Sequence, residues 1–352
     1  VWDHMTVPMK PRGFVTERQT AEHLYHTVTA PTVLQEAEAR QTRILDADYS
    51  PCDIKEFVQS LDHLDIAEKD KMYSLLSSHP ELFKGGLGTI NVAPVKLELN
   101  NDLDHTPYHA RAFPVPHCYE ATTRKEIDRL CEIGVIAKCN DSEWAAPTFI
   151  QPKKTGDVRV LTDFRELNKH IKRNPFPLPK ISDLLQKLQG FKYATAIDLS
   201  MGYYHVQLDE ASQNLCSFVM PWGKYKYLRL PMGIKNSPDI FQGIINNVFS
   251  GLDNVKAYLD DILITSNGTY EDHLKKVQEV LERLSQYGFV VNIKKSFFAV
   301  SEIEYLGYWI TRDGIQPQPK KVEAIHRLTP PKTKRQSVVH CAIKKLPRVP
   351  SG

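Results

Sequence analysis

The sequence predicts a mixed α+β fold, and three observations carry that prediction. Apolar residues recur at helical spacing in several stretches, Phe241, Ile244, Ile245, Val248 and Phe249 being one example. Between those stretches lie short β-branched and aromatic runs bounded by turn residues, the pattern of strands joined as hairpins. The chain of 352 residues holds 41% hydrophobic and 25% charged residues, the balance of an ordinary folded protein with room for two or three domains. That balance excludes extensive disorder and a collagenous or fibrous chain. No stretch approaches the ~18 consecutive apolar residues of a membrane helix, and no signal segment opens the sequence.

Taken in order, residues 1–50 are polar and weakly periodic. Pro8, Pro11 and Pro31 break any long helix there, so the stretch reads as loop or as the ragged end of an upstream unit. Val1 in place of Met suggests a piece of a longer product. Residues 53–79 predict one or two helices, with Phe57, Leu61, Leu64, Met72, Leu75 and Leu76 on their apolar faces. An extended segment follows at Ile90–Leu99. The next helix is expected at Tyr119–Glu132, with Ile127, Leu130 and Cys131 on its stripe and Gly134 as its stop.

Short strands are then expected at Ala146–Gln151 and Val158–Leu161, around a turn containing Gly156. Pro175, Pro177 and Pro179 form a connector that cannot be helical. Ile181, Leu184, Leu185 and Leu188 return to helical spacing, and Tyr193–Leu199 reads as a strand. Leu215–Met220 and Tyr225–Leu230 flank a hairpin turn at Pro221–Lys224. Ser237 is an apt N-cap and Pro238 an apt first residue for the helix that Gly251 ends. A second hairpin spans Val255–Thr265 and turns around Asp260 and Asp261. Thr269 and Asp272 resemble a capping box for a helix through Tyr287. Strands at Val290–Ile293 and Ile303–Ile310 complete the pattern, the second interrupted by Gly307.

Charge is distributed unevenly. Residues 1–110 carry 10 basic and 17 acidic side chains, whereas residues 111–352 carry 35 and 25. The excess lies in residues 151–180, with eight basic against three acidic, and in residues 317–352, with nine against one. Basic blocks of this kind suit a polyanionic partner, because neutralising phosphates releases counterions; a solvated face with a basic tail is the alternative. The six cysteines form no CxxC pair, which argues against zinc or redox motifs and suits free thiols in a reducing compartment.

The sharpest chemical feature is Tyr258-Leu259-Asp260-Asp261. A surface turn uses Asp readily, but usually beside Gly or Asn, which supply positive φ. Here Leu259 and Ile262 flank two crowded carboxylates, an arrangement that is costly unless a cation compensates. Asp198 closes an otherwise apolar strand, where turn or cap duty is the plainer reading. If that strand lies beside the second hairpin, Asp198 and Asp260 converge at one sheet edge. Oxygen-only ligands suit Mg²⁺ or Mn²⁺, and two such ions can promote phosphoryl transfer. Arg159, after the Lys153-Lys154-Thr155-Gly156 loop, could meet a triphosphate, although ordinary surface cations look the same in sequence.

These residues resemble a known family. Leu161-Thr162-Asp163-Phe164-Arg165-Glu166-Leu167-Asn168 is similar to the fingers motif of reverse transcriptases. Leu230-Pro231-Met232-Gly233-Ile234-Lys235-Asn236-Ser237-Pro238, followed by Phe241-Gln242, resembles their template-contacting loop and helix. Tyr258 through Asp261 resembles the YxDD signature, and Tyr305-Leu306-Gly307-Tyr308 the primer-grip hairpin. Four motifs in order over residues 145–311 make the match specific. Its details are most similar to gypsy-type LTR retrotransposon polyproteins, with pararetroviruses and copia-type elements more distant.

The resemblance implies a right-hand polymerase that copies RNA into DNA, with fingers, a palm built on an antiparallel sheet, and a partial thumb. Residues 1–110 would be an extension or linker after an upstream protease remnant at Val1–Gly13. Residues 111–195 would form the fingers and the start of the palm, 196–311 the palm with the YxDD hairpin and primer grip, and 312–352 a truncated thumb with a basic tail. Asp198, Asp260 and Asp261 would be the catalytic acids and, with the backbone carbonyl of Leu199, would hold two Mg²⁺ or Mn²⁺ ions. Arg159 would brace the dNTP triphosphate with Lys153 or Lys154. Tyr203 would bar a ribose 2′-OH, Met232 and Gly233 would floor the nucleotide pocket, and Gln242 would lie along the template. Lys295 matches a lysine that protonates pyrophosphate. The implied partners are an RNA/DNA template-primer, dNTP and other polyprotein parts or a second copy, in the cytoplasm or in virus-like particles. A catalytically weak nucleic-acid-binding remnant of a decayed element is the alternative, since the sequence leaves the family pattern after about Gln336.

Overall fold

Among the described residues the first helix is capped by Asp53, whose carboxylate accepts the N–H groups of Lys55 and Glu56 at the start of α1 (Ile54–Gln59). The computed structural model describes residues 50–100, 106–153, 156–186, 188, 190–312 and 314–317. Asp65 and Glu68 close a capping box at the start of α2 (Ile66–Ser77), satisfying donors that the helix cannot pair internally.

Within the stretch that the sequence reads as extension or linker, residues 50–100 contribute to the core. Val58, Leu64, Met72, Leu76, Leu82, Ile90 and Leu97 are buried in the same hydrophobic cluster as Ile197, Phe241 and Leu281. The extended stretch after α2 is also pinned along its backbone. Ile90 N–H donates to His205 O at 3.1 Å, Val95 N–H to Gln207 O at 2.8 Å and Asn100 N–H to His170 O at 2.8 Å. A strap with its polar groups paired this way can cross a core without the penalty of orphaned donors.

α3 (His117–Glu132) begins two residues before the expected start and buries Ile127 and Leu130; Gly134 follows with φ of 72°. The next elements are β1 (Ile136–Lys138), β2 (Ala146–Pro152), β3 (Val158–Thr162), α4 (Arg165–His170), α5 (Ile181–Gln186), β4 (Tyr193–Asp198), α6 (Glu210–Leu215), β5 (Ser217–Met220) and β6 (Gly223–Tyr227). Neither α4 nor α6 was expected, because each carries a single large apolar residue, Leu167 and Leu215, too few to display a stripe. Five of these strands form a sheet in the order β1-β6-β5-β2-β3, in which β2 and β5 run parallel and the other pairs antiparallel.

The second half contributes α7 (Ser237–Val248), β7 (Val255–Tyr258), β8 (Asp261–Ser266), α8 (Tyr270–Tyr287), β9 (Phe297–Val300), β10 (Ile303–Tyr305), β11 (Tyr308–Thr311) and β12 (Gly314–Pro317). Asn236, not Ser237, occupies the N-cap position of α7; the Ser237 hydroxyl points inward and donates to Pro231 O at 2.7 Å. The Thr269–Asp272 capping box forms as expected, and Gly288 ends α8 at φ of 77°. Four strands make a sheet in the order β7-β8-β4-β9. Helix α7 packs on β7 and α8, and α8 packs on β4 and β8. The expected strand Val290–Ile293 is instead a single bridge, Leu199 to Val291, followed by a 3₁₀ turn at Ile293–Lys295. A third sheet, β10-β11-β12, shares a small core of Leu188, Phe191, Leu263, Ile303, Tyr305 and Ile310. Lys154, the upstream remnant at Val1–Gly13, and the thumb and tail beyond Pro317 lie outside the described residues.

Candidate active site

The site is built on strand register. Strands β4 and β8 pair antiparallel from Tyr193 opposite Ser266 to Asp198 opposite Asp261. Directly opposed residues project to the same face of a sheet, so the last residue of β4 and the first of β8 stand as an acidic cross-strand pair. Leu259 and Asp260 form the two-residue turn between β7 and β8. Leu199 N–H donates to the carbonyl of Asp260 at 3.3 Å, carrying the ladder one residue further, onto the turn. Asp260 is buried, with 4% of its surface exposed, while Asp198 and Asp261 are half-buried.

Asp198 and the adjacent pair Asp260 and Asp261, far apart along the chain, thus come together through backbone pairing. Their carboxylates do not close on a point, however: among the described residues, no three His, Cys, Asp or Glu side chains are gathered closely enough to hold one metal ion. The donors present are all oxygens, the set that Mg²⁺ or Mn²⁺ prefers.

Backbone strain marks the same neighbourhood. Leu259 has φ of 55° and Met201 φ of 60°. Each is a side-chain-bearing residue in the left-handed region, at a cost of about 1–2 kcal/mol. Such conformations persist where surrounding contacts over-determine them, and functional sites are where they collect. Met201 lies three residues after Asp198, and Leu259 immediately precedes Asp260.

Asp198 is held by its own backbone. Asn292 N–H donates to Asp198 O at 2.8 Å, Asp198 N–H donates to Ser296 Oγ at 3.2 Å, and that hydroxyl donates to Asn292 O at 2.8 Å. Lys295 sits half-buried in the turn between Asn292 and Ser296, beside the end of β4.

The loop carrying Met232 and Gly233 is clamped by one side chain. Asn168 donates to Gly233 O at 2.7 Å and accepts from Lys235 N–H at 2.9 Å, tying the end of α4 to the loop. Met232 is buried, and Gly233 adopts φ of 92°. Arg173 forms an ion pair at 2.8 Å with Asp239, whose side chain is almost fully buried and also accepts Phe176 N–H at 2.9 Å. Burial, with the Arg173 charge nearby, holds the Lys235 ammonium below its usual range.

Tyr203 lies in a 3₁₀ turn, Gly202–His205, with its ring edge-to-face against Phe241 at 5.2 Å and 7% of its surface exposed. Gln242 lies on the inner face of α7. It is fully buried, and its amide bonds to Ala257 O and to Leu259 N–H at the Leu259–Asp260 turn. A long amide beside a turn that lacks its own stabilising residue fills an unmet need, which a linear motif does not reveal.

Arg159 and Lys153 stand on the five-stranded sheet, not on the sheet that bears the aspartates. Arg159 is opposite Gln151 across β2–β3 and donates to its Oε1 at 3.0 Å; Lys153 N–H donates to Asp157 O at 2.8 Å. In the β10–β11 hairpin Tyr305 is opposite Tyr308, and Leu306 and Gly307 both have positive φ, as tight hairpins favour. The hydroxyl of buried Tyr305 donates to Lys256 O at 3.1 Å and Asp261 O at 3.4 Å, joining this hairpin to the acidic strand, whereas Tyr308 faces outward. Sequence reasoning assigned no role to Asn168, Arg173, Asp239, Asn292 or Ser296. Asn168 closes the fingers-like motif, and Arg173 and Asp239 stand beside Pro175 and Pro238; Asn292 and Ser296 carry no linear signal.

Residues 151–310 match the family described as reverse transcriptase (RNA-dependent DNA polymerase). The chain is 35% identical over 266 residues to the retrovirus-related Pol polyprotein from transposon opus of Drosophila melanogaster, covering 73% of this chain and 26% of that protein. It is 31% identical over 318 residues to the Pol polyprotein from transposon 297 of the same species, covering 88% and 29%. The chain therefore spans less than a third of these relatives. Among solved structures, a foamy viral protease-reverse transcriptase in complex with dsDNA superposes with a TM-score of 0.72 at 25% identity, covering 83% of this chain and 61% of that one. The same protein with an RNA/DNA hybrid gives 0.69 at 26%, covering 80% and 38%. The fold is the α+β right-hand polymerase fold that the sequence led us to expect.

Proposed function

We infer that this chain, whose residues 151–310 form a reverse transcriptase domain, is an RNA-directed DNA polymerase from a gypsy-type LTR retrotransposon polyprotein. The observation that carries the reading is the register of β4 on β8, with Asp198 opposite Asp261 and Asp260 on the adjoining turn. The five-stranded sheet serves as fingers, taking β5 and β6 from the stretch the sequence reads as palm, and the four-stranded sheet serves as palm.

Asp198, Asp260 and Asp261, with the Leu199 carbonyl, would hold two Mg²⁺ or Mn²⁺ ions, which supply Lewis-acid stabilisation of charge on the transferring phosphoryl group. The rest is positioning. Arg159 and Lys153 brace the triphosphate of a base-paired dNTP. Met232 and Gly233, fixed by Asn168, form the pocket floor, and the Tyr203 ring, fixed by Phe241, leaves no room for a ribose 2′-OH. The outward Tyr308 edge of the β10–β11 hairpin supports the primer. Its 3′-OH attacks the α-phosphate, pyrophosphate leaves, and Lys295, beside Asp198, donates a proton to it. Template sequence is read by base pairing, so the protein grips backbone and duplex shape, and affinity falls steeply with added salt.

The deciding experiment is Mg²⁺-dependent extension of a DNA primer on an RNA template by this chain and by Asp260→Asn. We expect extension by the parent and none above background by the variant. Equal extension by both would remove these acids from the mechanism. Salt-sensitive duplex binding without extension in Mg²⁺ or Mn²⁺ would favour the second reading, a nucleic-acid-binding remnant.

A further inference from the structure

The YxDD turn has no residue of its own suited to its geometry. Leu259, at φ of 55°, holds a position where a tight two-residue hairpin ordinarily places glycine. What compensates is Gln242, 17 residues earlier on α7. Its Oε1 accepts Leu259 N–H at 2.8 Å, and its Nε2 donates both to Ala257 O at 3.1 Å and to Asn246 Oδ1 at 2.8 Å. Every donor of the amide and one lone pair of its oxygen are thereby committed, and the side chain is fully buried. The two main-chain bonds bracket the turn, one just before it at the end of β7 and one on its first residue.

We propose that Gln242 is a positioning residue for Asp260: its buried amide replaces the missing glycine by holding Leu259 in the left-handed conformation, and so sets the direction in which the Asp260 carboxylate projects. The proposal rests on the polymerase reading for its kinetic consequence but on the hydrogen bonds alone for its structural one. It gives Gln242 no contact with template, primer or nucleotide. Asn246, one helical turn along α7, fixes which way the amide faces by accepting from its nitrogen.

The test compares the full chain with Gln242→Met, which keeps length and removes both hydrogen-bonding groups, and with Gln242→Glu, which keeps an acceptor for Leu259 N–H. Amide hydrogen exchange over residues 257–261 should speed by at least tenfold in Gln242→Met and by less in Gln242→Glu, with both variants folded by circular dichroism and thermal melting. In single-turnover extension, Gln242→Met should lose at least tenfold in the rate of the chemical step, with the Kd for primer-template and for dNTP unchanged, and Gln242→Glu should recover part of that rate. A template-contacting glutamine predicts the reverse split, a weaker primer-template Kd with an unchanged chemical step, and that result would overturn the proposal. Unchanged exchange at Leu259 would overturn it too. Should the parent chain fail to extend a primer, the polymerase reading falls, and the exchange measurement still decides whether Gln242 holds the turn.

Discussion

Gly88 passes so close to His205 that a methyl group on its Cα would lie 2.7 Å from the imidazole Cδ2, and equally close to the carbonyl oxygen of Gly288. The strap that follows α2 is threaded between the 3₁₀ turn of Tyr203 and the end of α8. Gly88→Ala must displace backbone or a buried ring. Overpacking of this kind costs about 1–3 kcal/mol, so the denaturation midpoint of Gly88→Ala should fall accordingly. A midpoint equal to the parent's would show that the strap does not pack as described.

His205 and His273 make stability depend on pH. His205 Nδ1 faces Gly202 O and its Nε2 accepts Val290 N–H at 3.1 Å; His273 lies between the hydroxyls of Thr195 and Ser266. Burial lowers each to about 4, from the 6.5 expected of the unfolded chain. Above pH 6.5 both states are neutral and there is no effect. Between 6.5 and about 4 the unfolded chain takes up protons that the folded chain refuses, so stability falls as pH falls, by roughly 3 kcal/mol per histidine. Urea melts from pH 8 to 4.5 should show a plateau above 6.5 and a decline below it. Stability that stays flat down to pH 5 would contradict the burial of both rings.

Asp198 and Asp261 oppose each other across β4 and β8. Facing like charges destabilise a strand pair by up to about 1 kcal/mol. In divalent-free buffer Asp198→Asn should therefore melt no lower than the parent, while losing extension activity. Added Mg²⁺ should raise the melting temperature of the parent more than that of the variant. A variant clearly less stable than the parent without Mg²⁺ would mean that the pair is not repulsive.

Asn168 is the sole side chain clamping both Gly233 O and Lys235 N–H among the described hydrogen bonds. Asn168→Ala frees the loop under the proposed nucleotide pocket and leaves a donor and an acceptor to water. The cost in stability is about 1–2 kcal/mol. Steady-state extension should show the KM for dNTP rising several-fold, more than kcat falls. A change confined to primer-template affinity would assign the loop to the duplex instead.

Much of the fold is legible in the linear sequence. Helices α3, α7 and α8 announce themselves by long apolar stripes with Gly134, Pro238, Gly251 and the Thr269–Asp272 box as punctuation, and the structure keeps their ends to within a few residues. Strands β4, β7 and β8 are equally clear. Less legible are α4 and α6, with too few apolar residues for a period to show, and the strap at residues 80–100, whose apolar residues follow no regular spacing because its partners are scattered over three other segments. Ser237 illustrates a local rule losing to a tertiary one: the best capping residue in sight turns inward to Pro231.

At the candidate site the division is similar. Residue types, motif order and the absence of a turn-forming glycine beside Asp260 are all present in the sequence, because they are properties of neighbours along a chain. That Asp198 stands opposite Asp261, that Gln242 is interior, and that Asn168, Ser296 and Tyr305 hold the surrounding backbone could come only from the folded molecule. Local patterning records which face of an element is apolar. Register between strands more than fifty residues apart is set by the packing and hydrogen bonding of the whole sheet, and those terms exist only once the sheet has formed.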